Sequence, residues 1–102
     1  GVLAIGVDDN QNYMQPGTML TSMYKKVGLA AYNSFAAAVA GNWEAGFSVN
    51  GVAEDGVGAA MDEYNADLVS ADMLAAVDAA RAAIISGDIV VHDYMSDNSC
   101  PL

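Results

Sequence analysis

Blocks of hydrophobic and polar positions succeed one another along the chain and predict strands and helices in turn. Val2–Val7 is continuously apolar, as expected for a buried strand. The polar stretch 8–17, which contains a Pro-Gly step, predicts a loop. A helix is then predicted from about Met19 to Ala40, ended by Gly41-Asn42. Its apolar positions recur every three or four residues: Leu20, Tyr24, Val27, Ala31, Phe35 and Val39.

The second half of the chain continues with shorter blocks. Loose alternation predicts a strand over Trp43–Val52, and a compact apolar run predicts another over Val57–Met61. Ser70 stands where a helix would be capped, and Gly87 stands where the same helix would end in a left-handed residue.

The end of the chain predicts one more strand and a tail. Asp88–His92 has the composition of a strand, and residues 93–102 are expected to form a surface tail or a crossing segment. The resulting order is strand, long helix, strand, strand, helix, strand, with short connections. This order indicates an α/β fold with a mainly parallel sheet and flanking helices.

Composition and charge indicate the size of the core side chains and disfavour certain binding partners. Hydrophobic residues make up 54% of the chain, but nineteen of them are alanine, which indicates closely packed elements with small side chains. The net charge of -10 disfavours nucleic acid and anionic membrane surfaces, because both need clustered cations on the protein. No apolar stretch approaches the roughly 20 residues that cross a bilayer.

The chain offers little for catalysis, metal binding or redox chemistry. Cys100 is the only cysteine and His92 the only histidine, so neither has a sequence partner for a disulfide or a metal site. No nucleophile elbow, phosphate loop, dinucleotide fingerprint or zinc-protease spacing occurs. We therefore expect a protein that is not an enzyme and that uses no cofactor.

Asp8 is the first candidate binding residue, because it directly follows the first predicted strand. Ligands of open α/β sheets bind beyond the carboxyl ends of the strands, and a carboxylate there can accept two hydrogen bonds from vicinal hydroxyls. An exposed loop acid without a ligand is the alternative at this position. Lys25 either balances surface charge or lies over the same crevice and donates to ligand oxygens.

A calcium loop is only partly imitated in the same region. Asp8, Asn10 and Asn12 have the opening spacing of such a loop, but Tyr13 occupies the position of the required glycine. Met19 occupies the position of the bidentate glutamate. We therefore expect no metal at this position.

Several segments in a fixed order carry a family resemblance that extends over nearly the whole chain. They are Ile5-Gly6-Val7-Asp8-Asp9-Asn10-Gln11, Leu20-Thr21-Ser22-Met23-Tyr24-Lys25-Lys26-Val27, Ala31-Tyr32, Asp55-Gly56-Val57-Gly58, Asn65, and Ile84-Ile85-Ser86-Gly87-Asp88-Ile89-Val90-Val91. Together they resemble the carboxyl-terminal part of the basic membrane protein family, the solute-binding lipoproteins of ABC transporters that take up purine nucleosides.

This resemblance implies a fold and a site. The fold would be the type I periplasmic-binding fold of two Rossmann-like α/β lobes, with residues 1–102 forming roughly the last third of a longer protein. Asp8 would bind the ribose hydroxyls and Lys25 would lie at the ligand. Asn10 departs from the family, which usually has a second acid there, whereas Asp8 matches the family pattern.

The resemblance also implies partners and a location, namely an ABC permease and an extracytoplasmic, lipid-anchored parent protein. The aromatic residues that hold the base and the lipidated cysteine would lie outside these residues. A ligand-sensing regulatory domain of the same fold and a self-associating interaction module are the alternatives. An isolated lobe exposes apolar surface, so homo-oligomers of this piece are also expected.

Overall fold

A computed structural model describes residues 1–100 of the chain as a small α/β arrangement. Its helices and strands follow the order strand, strand, helix, strand, helix, helix, with a short 3-10 turn at Asn12–Met14 after the first strand. Their bounds are β1 Ala4–Asp8, β2 Met19–Lys25, α1 Val27–Ala40, β3 Val57–Ala59, α2 Ala71–Ser86 and α3 Tyr94–Asp97.

The three strands form one mixed sheet with β2 in the centre. β1 runs parallel to β2 and β3 runs antiparallel to it, so the predicted mainly parallel sheet is only partly correct. Tyr24 on β2 pairs with Asp8 on β1 and with Gly58 on β3. The carboxyl ends of β1 and β2 consequently meet at the same edge.

The largest error of the sequence prediction concerns Met19–Lys25, which is a strand and not the beginning of a helix. The helix begins only at Val27. Within β2 the buried positions are Met19 and Ser22, three residues apart, so the strand lacks the hydrophobic alternation that usually identifies one. Hydrogen bonding to strands on both sides determines its conformation.

The predicted strands at 43–52 and 88–92 are also wrong. Within the described part of the chain, neither segment pairs its backbone with a strand. Their apolar side chains are exposed, including Phe47, Val49 and Val90. Apolar, strand-like sequence therefore does not correspond to burial in these two segments.

Three predicted helix boundaries are confirmed, those at Gly41, Ser70 and Gly87. The Ser70 side chain accepts a hydrogen bond from the Met73 N–H at 3.2 Å, and Gly87 has the left-handed φ of 84°. Gly41 ends α1 with a φ of 75°. The predicted tail, residues 93–102, contains a short helix, α3, which Asp93 caps. Positions 101 and 102 lie outside the described residues.

The most deeply buried side chains are polar. Asn12 and Ser22 are completely buried and Asn65 is 1% exposed, whereas Met19 and Ala60 are the buried apolar residues of the described part. Apolar side chains of α1 face outward, namely Tyr32, Phe35 and Val39. Over residues 1–100, no helix combines the length and the hydropathy that a membrane-spanning segment requires.

Candidate functional site

Asp8 and Lys25 form an ion pair where β1 and β2 end. Lys25 Nζ lies 2.7 Å from Asp8 Oδ1, although Lys25 ends a strand and does not lie on the predicted helix. The Asp8 side chain is 68% exposed and the Lys25 side chain 52%, so polar atoms of both are accessible to a ligand. Exposed ion pairs of this kind contribute at most about 1 kcal/mol to stability.

The backbone of Asp8 is unusual. Its φ of 76° lies in the left-handed region, which is uncommon for a residue with a side chain. Aspartate tolerates this conformation better than most residues, but it still has a cost that surrounding contacts must offset. Such backbone conformations cluster at functional sites, and here the conformation turns the chain immediately after β1.

An open concavity of about 550 Å³ is lined by Lys25 of the ion pair, whereas Asp8 is not one of its lining residues. Its lining comes from the loop after β1, the end of β2 and the beginning of α1. The lining residues are Asp9, Asn10, Tyr24, Lys25, Lys26, Val27 and Gly28. The space is thus bordered by hydrogen-bond donors and acceptors of both charges.

A second group of charged side chains includes Lys26, which also lines the concavity. Lys26 contacts Asp55 Oδ2, and Arg81 Nη2 on α2 lies 3.4 Å from Asp55 Oδ1. The hydrogen bond between Lys26 and Asp55 raises the pKa of Lys26 above 10.5 and lowers the pKa of Asp55 below 3.8. Lys26 Nζ also lies 5.6 Å from the centre of the Tyr24 ring, within the range of a cation–π contact.

A buried hydrogen-bond network connects three segments of the chain. Ser22 Oγ donates to Asn12 Oδ1 at 2.8 Å and accepts from the Gln11 N–H at 3.0 Å. Asn65 Nδ2 donates to the carbonyls of Leu20 and Ala60 at 2.8 and 3.0 Å. The network joins the loop after β1, strand β2 and the loop after β3.

Asp62 is the acidic member of this network. Its Oδ2 accepts from Asn10 Nδ2 at 2.7 Å and from Asn12 Nδ2 at 3.2 Å. Its Oδ1 accepts from the Tyr64 N–H at 2.9 Å. The hydrogen bond from Asn10 is the largest cause that lowers the pKa of Asp62 below its ordinary value of 3.8. No sequence pattern singles out this residue.

The stability contributed by Asp62 is expected to depend on pH. A lowered pKa in the folded state means that the unfolded state binds more protons, so this contribution is present above about pH 4 and is lost as pH falls through the folded pKa. Thermal melts should therefore show that the unmodified protein is more stable than Asp62→Asn at neutral pH, and that this difference narrows below pH 4. The exposed Asp67→Asn is the control, and a gap that stays constant to pH 2 would contradict this prediction.

The remaining residues that the sequence raised as candidate metal ligands or reactive groups are Asn10, Asn12, His92 and Cys100. Among residues 1–100, no group of three His, Cys, Asp or Glu side chains is arranged to hold a metal ion. Asn10 Oδ1 accepts the Asn12 N–H, and Asn12 Oδ1 accepts the Ser22 hydroxyl, so both amide oxygens are already engaged. His92 lies 2.9 Å from the Ser99 carbonyl, and Cys100 is exposed.

Comparison with known proteins supports the fold. No family model and no curated protein sequence matches the chain. A crystal structure of ABC transporter system solute-binding proteins from Aeropyrum pernix K1 is similar, with a TM-score of 0.65 and 22% sequence identity. The match covers 92% of this chain and 34% of that chain. The chain therefore has the fold of part of a solute-binding protein and spans about a third of the length of this relative.

Proposed function

We propose that the chain is the carboxyl-terminal portion of a solute-binding protein that captures a purine nucleoside and delivers it to an ABC permease. The exposed Asp8–Lys25 pair, at the carboxyl edge of β1 and β2, is the observation that carries this proposal. The similarity in fold to a solute-binding protein supports the general role. The resemblance to the basic membrane protein family supports the nucleoside.

The proposed mechanism is capture without catalysis. Asp8 accepts hydrogen bonds from the two ribose hydroxyls, and Lys25 donates to a ligand oxygen while it keeps the Asp8 carboxylate in place. Closure of a second lobe over the concavity then excludes water and strengthens these charged hydrogen bonds. The base is held by residues of the other lobe.

The proposal includes a longer parent protein outside the cytoplasm, anchored by a lipid. The match to about a third of the related structure supports a longer parent, as does the exposure of Tyr32, Phe35 and Val39 on α1, which further chain would cover. The same exposed side chains support self-association of residues 1–102 when they are expressed alone.

Replacing Asp8 by alanine tests the proposed function. Hydrogen bonds to a charged group contribute about 1.5–3 kcal/mol, so we expect the affinity for adenosine or guanosine to fall roughly 10- to 100-fold. Calorimetric titration of the full-length protein measures the loss. Asp67→Ala removes an exposed acid that does not belong to the Asp8–Lys25 pair, so it is the matched control and should bind normally. An unchanged affinity in Asp8→Ala would refute the assigned role.

A further inference from the structure

Asp62 connects the loop that follows β1 to the loop that follows β3. The hydrogen bond between Asn10 Nδ2 and Asp62 Oδ2 joins residues that are 52 positions apart in sequence. We propose that Asp62 is a positioning residue, which fixes the chain after Asp8 so that the Asp8 carboxylate faces the ribose hydroxyls of the ligand. This inference rests on the proposed nucleoside site.

Asp62 is itself held firmly enough to act as an anchor. Its backbone N–H donates to Asn65 Oδ1 at 2.9 Å, and its Oδ1 accepts the Tyr64 N–H. Asn65 is buried and bonded to carbonyls of β2 and of the β3 exit. The carboxylate is therefore attached to the sheet by bonds that do not involve Asn10.

The loop after Asp8 depends on bonds of this kind for its shape. The Asp9 side chain accepts the Asn10 N–H, and the Gln11 side chain donates to the Val7 carbonyl at 3.2 Å. These contacts are local, whereas the side-chain bonds to Asp62 and Ser22 join the loop to other segments. The left-handed conformation of Asp8 has a cost that surrounding contacts must offset, and these long-range bonds hold the chain that follows it.

A carboxylate fits this position better than an amide does. Asp62 Oδ2 accepts from two amide nitrogens, Asn10 Nδ2 and Asn12 Nδ2. Asp62 Oδ1 also accepts, from the Tyr64 N–H, so an asparagine at position 62 would turn its NH₂ group toward a donor in either orientation. Asp62→Asn should therefore loosen the loop, and the exchanged pair Asn10→Asp with Asp62→Asn should restore one bond between the loops.

The first test separates positioning from general stability. Calorimetry compares adenosine with 2′,3′-dideoxyadenosine, which lacks both ribose hydroxyls that Asp8 would bind. In Asp62→Asn we expect the preference for adenosine to fall by about fivefold or more, the value of one typical hydrogen bond, with little change for the dideoxy compound. The exchanged pair should recover part of the preference, and Asp67→Asn should keep all of it. Equal weakening of both ligands, or an unchanged preference, would overturn the proposal.

A second measurement does not depend on the ligand. Hydrogen–deuterium exchange of the ligand-free protein should be faster in residues 6–14 of Asp62→Asn and unchanged in residues 71–86. Asn10→Ala, which leaves Asp62 bonded to Asn12, should act in the same direction and replaces Asp62→Asn if that variant does not fold. Unchanged exchange in residues 6–14 would refute the positioning role. Equal binding of the two nucleosides by the unmodified protein would instead refute the proposed function.

Discussion

Replacing Gly6 by alanine is expected to destabilise the protein by about 3 kcal/mol, the upper part of the usual range for overpacking. An added Cβ would lie 2.5 Å from Ser22 Oγ and 3.0 Å from the Cβ atoms of Gln11 and Ser22. Ser22 is completely buried and bonded on two sides, so it cannot move aside without breaking the network. Denaturant unfolding of the full-length protein measures the loss.

Two further variants test the cause of this loss. Gly28→Ala places a methyl group in open space on α1 and should be neutral or stabilising by up to about 1 kcal/mol. Gly6→Ala should cost less in a Ser22→Ala background, because the closest contact is then absent. Strictly additive effects of Gly6→Ala and Ser22→Ala would show that steric contact between the two side chains is not the cause.

The contact between Gly6 and Ser22 explains why strand β2 could not be predicted from the sequence. Ser22 is the buried side chain in the middle of this strand, and it packs against the bare backbone of Gly6. A pattern of apolar residues cannot reveal a strand whose central buried residue is polar. The helix ends at Gly41, Ser70 and Gly87 were predictable because capping is a local property of the sequence.

The candidate site was predictable to a similar extent. Asp8 could be placed because it follows an obvious strand and strand ends locate ligand sites in open sheets. Lys25 was expected on a helix, whereas it ends strand β2 and pairs with Asp8. Asp62 and Asn65 were not assigned a role in the site, because their contacts depend on β3 pairing antiparallel with β2, a pairing that no local pattern encodes.

Asn65→Ala is expected to destabilise the protein by about 3 kcal/mol, since it removes the partners that Asn65 supplies to the Leu20 carbonyl and the Asp62 N–H. The Ala60 carbonyl keeps its hydrogen bond from the Thr21 hydroxyl at 2.9 Å. The Asn65 amide donates to the carbonyls of Leu20 and Ala60, and its oxygen accepts the Asp62 N–H. The side chain is 1% exposed, so water cannot replace these bonds without entering the structure. A loss of this size is a large fraction of the total stability of a typical domain.

The exposed Asn33→Ala on α1 controls for the removal of an amide and should change the free energy of unfolding by less than about 0.5 kcal/mol. Asn65→Ala should also accelerate amide exchange in β2 and in residues 60–65, because the bonds that it removes join these two segments. A loss of stability without faster exchange in those segments would mean that Asn65 acts through packing alone. Faster exchange in both would show that a polar network, rather than an apolar core, holds the loop after β3 against the central strand.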